Sequence, residues 1–101
     1  MILNEIIEYN LQQLFGLEYL RECLELRIKL SKENYSSKTE LQKNEIDILY
    51  YQTKNNINKV SKNIQEKKAE VKDLFTIYFQ ELEDKTNKNK NGDNSLLNNS
   101  Q

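Results

Sequence analysis

Proline and tryptophan are absent from this 101-residue chain, and glycine occurs only twice. A β-sandwich or β-barrel needs a turn about every 8–12 residues, and such turns draw on glycine and proline. The chain lacks the turn residues that an all-β fold would require, so we expect an all-α fold built from a few long helices. At this length the chain forms one domain at most.

Histidine is also absent, and Cys23 is the only cysteine. One cysteine excludes an intramolecular disulfide and a multi-cysteine zinc site. Without histidine, the thiol has no imidazole base that would activate it as a nucleophile. The sequence contains no Gly-rich phosphate loop and no Ser-His-Asp set. We therefore expect a protein that is not an enzyme and that binds no metal, cofactor or small-molecule substrate.

The charges nearly cancel: 15 basic residues stand against 16 acidic ones, for a net charge of −1. Nucleic-acid-binding domains are usually basic, so this balance disfavours nucleic acid as a partner. The first ten residues, MILNEIIEYN, contain no basic region, and polar residues interrupt their apolar run. They fit neither a signal peptide nor a membrane span. We expect a cytoplasmic protein that does not associate with membranes.

Apolar residues recur at helical spacing over the first 30 residues and predict a helix A at about 2–31. Its main stripe consists of Leu3, Ile7, Leu14, Leu17, Leu24 and Ile28. The following segment, SKENYSSKTE, is rich in Ser and Asn, which predicts a loop at 32–37. Ser37 and Glu40 have the spacing of a capping box, so we expect them to start the second helix.

Helix B, predicted at about 38–84, has the clearest periodicity in the sequence. Ten positions follow one another at alternating spacings of four and three residues, which is the pattern of a helix packed along one partner helix. They are Ile46, Tyr50, Thr53, Ile57, Val60, Ile64, Lys67, Val71, Leu74 and Tyr78. Two of them, Thr53 and Lys67, are polar. A polar residue at such a position can fix the register of the two helices; alternatively, Lys67 extends from the edge of the seam to solvent.

These elements predict a long, antiparallel, coiled-coil-like hairpin over residues 1–84. Hydrophobic residues make up 37% of the chain, below the roughly 45–50% of a typical globular domain, so the core should be narrow. The remaining segment, 85–101, reads KTNKNKNGDNSLLNNSQ and has almost no apolar residue to offset the entropy of ordering it. We predict that it is a disordered tail.

The hairpin leaves two apolar surfaces without a partner. If the helices pair outward from the loop, residue i faces roughly residue 70 minus i, and residues 71–82 extend about 20 Å beyond helix A. The large side chains of this overhang are Leu74, Phe75, Ile77, Tyr78, Phe79 and Leu82. Helix A has a second apolar side, with Phe15, Tyr19, Leu26 and Leu30, and Cys23 lies between them.

Both surfaces would be covered if two hairpins paired into a four-helix assembly. An alternative is a three-helix bundle within one chain. Helix B would then break near Asn55 and Asn56, and its second half would fold back along all of helix A.

The sequence thus favours a protein–protein interaction module that acts through these apolar faces. Such a module could be an adaptor, an assembly subunit or a small inhibitor or regulator, and its partner would be a second copy, another protein or both. An alternative is a nucleic-acid-associated regulatory protein that contacts phosphates through a lysine edge on helix B. That edge consists of Lys43, Lys54, Lys62, Lys68 and Lys72, and acidic residues are interspersed along it.

Overall fold

Two long helices and a short turn make up the protein in the computed structural model, which describes residues 2–98, with side chains of the second helix described to residue 87. Helix α1 spans Leu3–Lys32, a 3₁₀ turn spans Tyr35–Ser37, and helix α2 spans Glu40–Asn98. No strand occurs among the described residues. The helices lie side by side in a molecule of 86 × 20 × 17 Å. The predicted all-α hairpin is confirmed.

The core is a single seam between α1 and α2. All ten positions predicted on α2 are buried or half-buried, and Thr53 and Ile64 are each only 1% exposed. Helix α1 presents a matching seam at the same alternating spacing. Besides the predicted leucines and isoleucines, this seam includes the half-buried polar residues Asn10, Arg21 and Ser31. Each helix therefore contributes one continuous stripe to the core, with polar members on both sides.

The register of the two helices differs from the predicted one. The Lys32 ammonium lies 4.4 Å from the centroid of the Tyr50 ring, and Lys67 bonds to Asn10 at 3.0 Å. These contacts put residue i of α1 level with roughly residue 80 minus i of α2, at about 1.5 Å of rise per residue. The shift arises because residues 33–39 run back along the first turns of α2, where the Tyr35 hydroxyl bonds to Asp47 at 3.0 Å.

This register shortens the free end of α2. Val71 is 6% exposed and belongs to the same core cluster as Leu14. Leu74 and Tyr78 are half-buried. The prediction that α2 has no partner helix from residue 71 onward is therefore wrong, because α1 reaches to about Tyr78.

The turn is closed by local hydrogen bonds. The Thr39 hydroxyl accepts from the Gln42 backbone N–H at 3.2 Å, and the Gln42 side-chain oxygen accepts from the Thr39 N–H at 3.0 Å. This reciprocal pair is a capping box, and it lies two residues after the predicted one. Ser37 instead donates its hydroxyl to the Asn34 carbonyl at 2.8 Å. Asn34 has a φ of 57°, a left-handed conformation that asparagine tolerates better than most residues.

Helix α2 continues without a break through Asn55 and Asn56, so the three-helix alternative is wrong. Asparagine is a weak helix former, but burial of Thr53, Ile57 and Val60 along the seam outweighs that preference.

Helix α2 also extends to Asn98, into the segment predicted to be a disordered tail, and residues 99–101 of that segment lie outside the described residues. The described side chains of this helix from residue 79 to residue 87 are exposed. A helix segment without packing is marginal in water, so disorder of the tail in solution stays a prediction.

Candidate interaction surfaces

An apolar stripe follows the side of α1 that faces away from α2. We call it the outer stripe; its spacing alternates between three and four residues, like that of the buried seam. Its members are Ile2, Glu5, Tyr9, Gln12, Gly16, Tyr19, Cys23, Leu26 and Leu30. The large apolar members are between 51% and 64% exposed. Helix α1 therefore has two stripes on nearly opposite sides, which is typical of a helix interior to a bundle.

Three of the four residues predicted on this side of α1 lie on the outer stripe, and Phe15 flanks it at 61% exposure. Sequence reasoning missed Ile2, Tyr9 and Gly16, although stepping backward from Tyr19 at the same spacing would have found them. Gly16 is open: a Cβ atom added there would meet nothing within 4 Å. The C-terminal end of the stripe, close to the turn, borders a shallow groove. Leu26 and Leu30 of α1 line this groove together with Leu49 of α2.

The second exposed surface lies on α2, at the end of the paired region. Phe75, Phe79 and Leu82 follow one another at spacings of four and three residues and are 36%, 59% and 48% exposed. We call these three residues the aromatic cluster. The rings of Phe75 and Phe79 stack with centroids 6.3 Å apart, and Tyr78 meets Phe79 edge-on at 5.4 Å.

The residues predicted on this part of α2 do not share one face. Leu74 and Tyr78 are half-buried members of the seam, whereas Ile77 is 48% exposed on the other side of the seam from the aromatic cluster. The structure thus brings three of the six predicted residues together on one exposed surface.

A polar layer crosses the seam in the N-terminal third of α1, at Asn10. The Lys67 ammonium donates to the Asn10 side-chain oxygen at 3.0 Å and to Glu70 at 2.9 Å. Asn10 in turn donates its side-chain N–H to the Ile6 carbonyl at 2.8 Å. The Lys67 side chain is only 18% exposed. Of the two interpretations of Lys67, this network supports the one in which a polar seam residue fixes the register.

Thr53 is the most unusual polar residue of the seam. It is 1% exposed, and its hydroxyl has no hydrogen-bond partner among the described residues. A buried hydroxyl without a partner costs about 1–3 kcal/mol. Replacing the hydroxyl by a methyl group, as in valine, would remove this cost.

The turn carries the one group whose pKa is clearly shifted among the described residues. The Tyr35 hydroxyl donates to both oxygens of the Asp47 carboxylate, at 3.0 and 3.1 Å. This hydrogen bond, together with desolvation and the negative charges of Asp47 and Glu40, raises the pKa of Tyr35. The Lys43 ammonium lies 5.7 Å from the centroid of the same ring.

The lysine edge is partly neutralised by acidic neighbours. Lys68 pairs with Glu18 at 3.8 Å, and Lys43 lies 4.0 Å from Glu40. Lys54 lies over the Tyr50 ring at 5.7 Å, and Lys62 and Lys72 are exposed. Phosphate contact by these lysines stays a prediction.

The described residues also bear on metal ligation and on membrane crossing. No group of three or more His, Cys, Asp or Glu side chains there is placed to hold a metal ion. In the same residues, neither helix offers a stretch long and apolar enough to cross a membrane. Cys23 is exposed on the outer stripe with a free thiol.

The fold and its surfaces define an elongated helical hairpin that exposes the outer stripe on α1 and the aromatic cluster on α2. Comparison with protein-family models, with curated proteins and with solved structures finds no match to this chain.

Proposed function

We propose that this chain is a non-enzymatic protein–protein interaction module that binds through the outer stripe of α1 and the aromatic cluster of α2. The observation that carries the proposal is the outer stripe itself. It repeats the spacing of the buried seam along the full length of α1, yet its large apolar side chains are more than half exposed. A helix with two such stripes needs a partner on each side, and α2 supplies only one of them.

The aromatic cluster supports the same proposal from the other helix. Aromatic side chains dominate the binding free energy of many protein interfaces, because they bury a large area at a low cost in side-chain entropy. Phe79 is 59% exposed, and its ring stacks on that of Phe75 in the same helix. A partner that covers both rings would remove this exposed apolar surface from water.

Light scattering at micromolar concentration tests the proposal. We expect a dimer or a larger species, and we expect Phe75→Ala with Phe79→Ala to abolish association while most helicity is retained by circular dichroism. Loss of the helicity itself would show that the two rings belong to the core of the hairpin. A monomer whose sharp melting transition does not depend on concentration would contradict the proposal.

A further inference from the structure

We infer that the partner of the outer stripe is the outer stripe of a second copy, with the two α1 helices antiparallel. This inference rests on the proposed function and names the partner and its orientation. It follows from three properties of the outer stripe: its length, the place of its glycine and the charges beside it.

The length of the stripe matches a second copy. It runs from Ile2 to Leu30 and therefore covers all of α1, about 42 Å of helix at the usual rise. A two-fold symmetric interface uses the same surface on both partners. The stripe is as long as α1, so the α1 helix of a second copy has the length needed to cover it.

Gly16 lies near the middle of the stripe, close to where a two-fold axis would pass. In an antiparallel pair in which residue i lies level with residue 35 minus i of the second copy, Gly16 faces Tyr19 of the second copy. The open space beside Gly16 then receives the ring of Tyr19, which is 63% exposed in the single hairpin. In a parallel pair, by contrast, Gly16 would face Gly16 of the second copy and leave a void between the helices.

The charges favour the same alignment. Glu8 and Lys29 both flank the outer stripe on the same side and are exposed. In the antiparallel pair, Glu8 lies beside Lys29 of the second copy, and symmetry repeats this contact. A parallel pair would place Glu5, a member of the stripe, against Glu5 of the second copy, where like charges repel each other. A parallel pair does bring Glu22 near Arg27, so the glycine and Glu5 decide between the two orientations.

The antiparallel pair also fixes the height of the aromatic cluster, along the helix axes, relative to the second copy. Because the cluster lies near the N-terminal end of α1, it comes level with the turn of the second copy.

The single native cysteine makes the orientation measurable. In the antiparallel pair, Cys23 faces Gln12 of the second copy, and the two Cys23 residues are about 16 Å apart along the helices. A disulfide needs Cα atoms about 5–7 Å apart. In a parallel pair the two Cys23 residues would face each other directly.

The experiment compares three full-length chains under mild oxidation, followed by non-reducing electrophoresis. They are the natural chain, the Gln12→Cys variant, and the Gln12→Cys variant that also carries Cys23→Ser. We expect a covalent dimer as the main species only for the chain with both cysteines. Both positions are exposed in the single hairpin, so none of the substitutions disturbs its core.

A covalent dimer of either single-cysteine chain in comparable yield would overturn the antiparallel orientation. A dimer by light scattering without a cross-link in the two-cysteine chain would overturn the outer stripe as its interface, and the proposed function would stand. A monomer by light scattering would overturn both.

A charge at the centre of the stripe gives an independent measurement. Gly16→Lys places a good helix former in open space, so the single hairpin should keep its helicity. We expect the dissociation constant of the dimer to rise at least tenfold, because the lysine side chain fills the space that receives the Tyr19 ring and its ammonium loses water without gaining a carboxylate partner. Gln65→Lys, an exposed substitution on α2, is the matched control and should leave the constant unchanged. An equal effect of both variants would contradict the interface.

Discussion

Replacing Thr53 by valine should stabilise the hairpin. Thr53 is 1% exposed, and its hydroxyl lacks a hydrogen-bond partner among the described residues. Valine has nearly the same shape and removes a desolvation cost of about 1–3 kcal/mol for the unpaired hydroxyl. The methyl group in its place adds favourable apolar burial of up to about 0.8 kcal/mol. Allowing for partial relaxation around the natural hydroxyl, we expect the free energy of unfolding to rise by about 1–2 kcal/mol.

Urea denaturation followed by circular dichroism measures this change from the midpoint and the slope of the transition. All variants are compared at one protein concentration, because association also raises the midpoint. Thr76→Val is the matched control, since Thr76 is exposed and its hydroxyl donates to the Lys72 carbonyl at 2.9 Å. We expect the control to change the free energy by less than about 0.5 kcal/mol. If Thr53→Val is neutral or destabilising, the hydroxyl is satisfied in solution and the reasoning fails.

Two further predictions concern the turn and the polar layer. The raised pKa of Tyr35 means that folding favours the protonated phenol. The contribution of its hydrogen bond to Asp47 to the stability of the fold is therefore complete below about pH 10 and is lost as the pH rises through the folded-state pKa. The difference between the phenolate absorbance titrations of the natural chain and Tyr35→Phe should therefore centre above pH 10; a midpoint at or below 10 would refute the bond. In the polar layer, Asn10→Leu with Lys67→Leu should raise the urea midpoint, because an apolar pair replaces a partly buried charge. The same variant should show more than one set of amide peaks by NMR as the register loosens, and a single set would show that other residues fix the register.

The seam of α2 was predictable because its spacing never slips over ten positions. Burial follows such a pattern almost irrespective of residue type. Even the polar residues Thr53 and Lys67 are buried and half-buried, respectively. The continuity of α2 through Asn55 was not predictable from helix propensity alone, since packing on α1 overrides that preference.

The register was predicted wrongly because it depends on the path of seven residues in the turn. Spacing along a helix does not reveal that Tyr35 reaches back to Asp47 or that Thr39, rather than Ser37, starts α2. Both facts come from specific side-chain hydrogen bonds. These hydrogen bonds shift the register by about ten residues relative to the predicted one. The shift brings Leu74 and Tyr78 of α2 level with α1 and into the seam.

The outer stripe was predictable only in part. Large apolar residues such as Tyr19 and Leu30 stand out in a polar chain, whereas Gly16 carries no hydrophobic signal and Glu5 and Gln12 interrupt the pattern. The spacing extends the stripe backward from Tyr19 to Ile2, and the observed exposure of its side chains adds that α2 does not cover this side of α1.

Sedimentation equilibrium at micromolar concentration tests the proposed interaction most directly. It compares the natural chain with a double variant that carries both Leu26→Ser and Leu30→Ser. Both leucines are more than half exposed in the single hairpin, so the variant should still fold. We predict twice the mass of one chain for the natural protein and a shift toward the mass of one chain for the variant. A natural chain that sediments as a monomer over the whole concentration range would contradict the account.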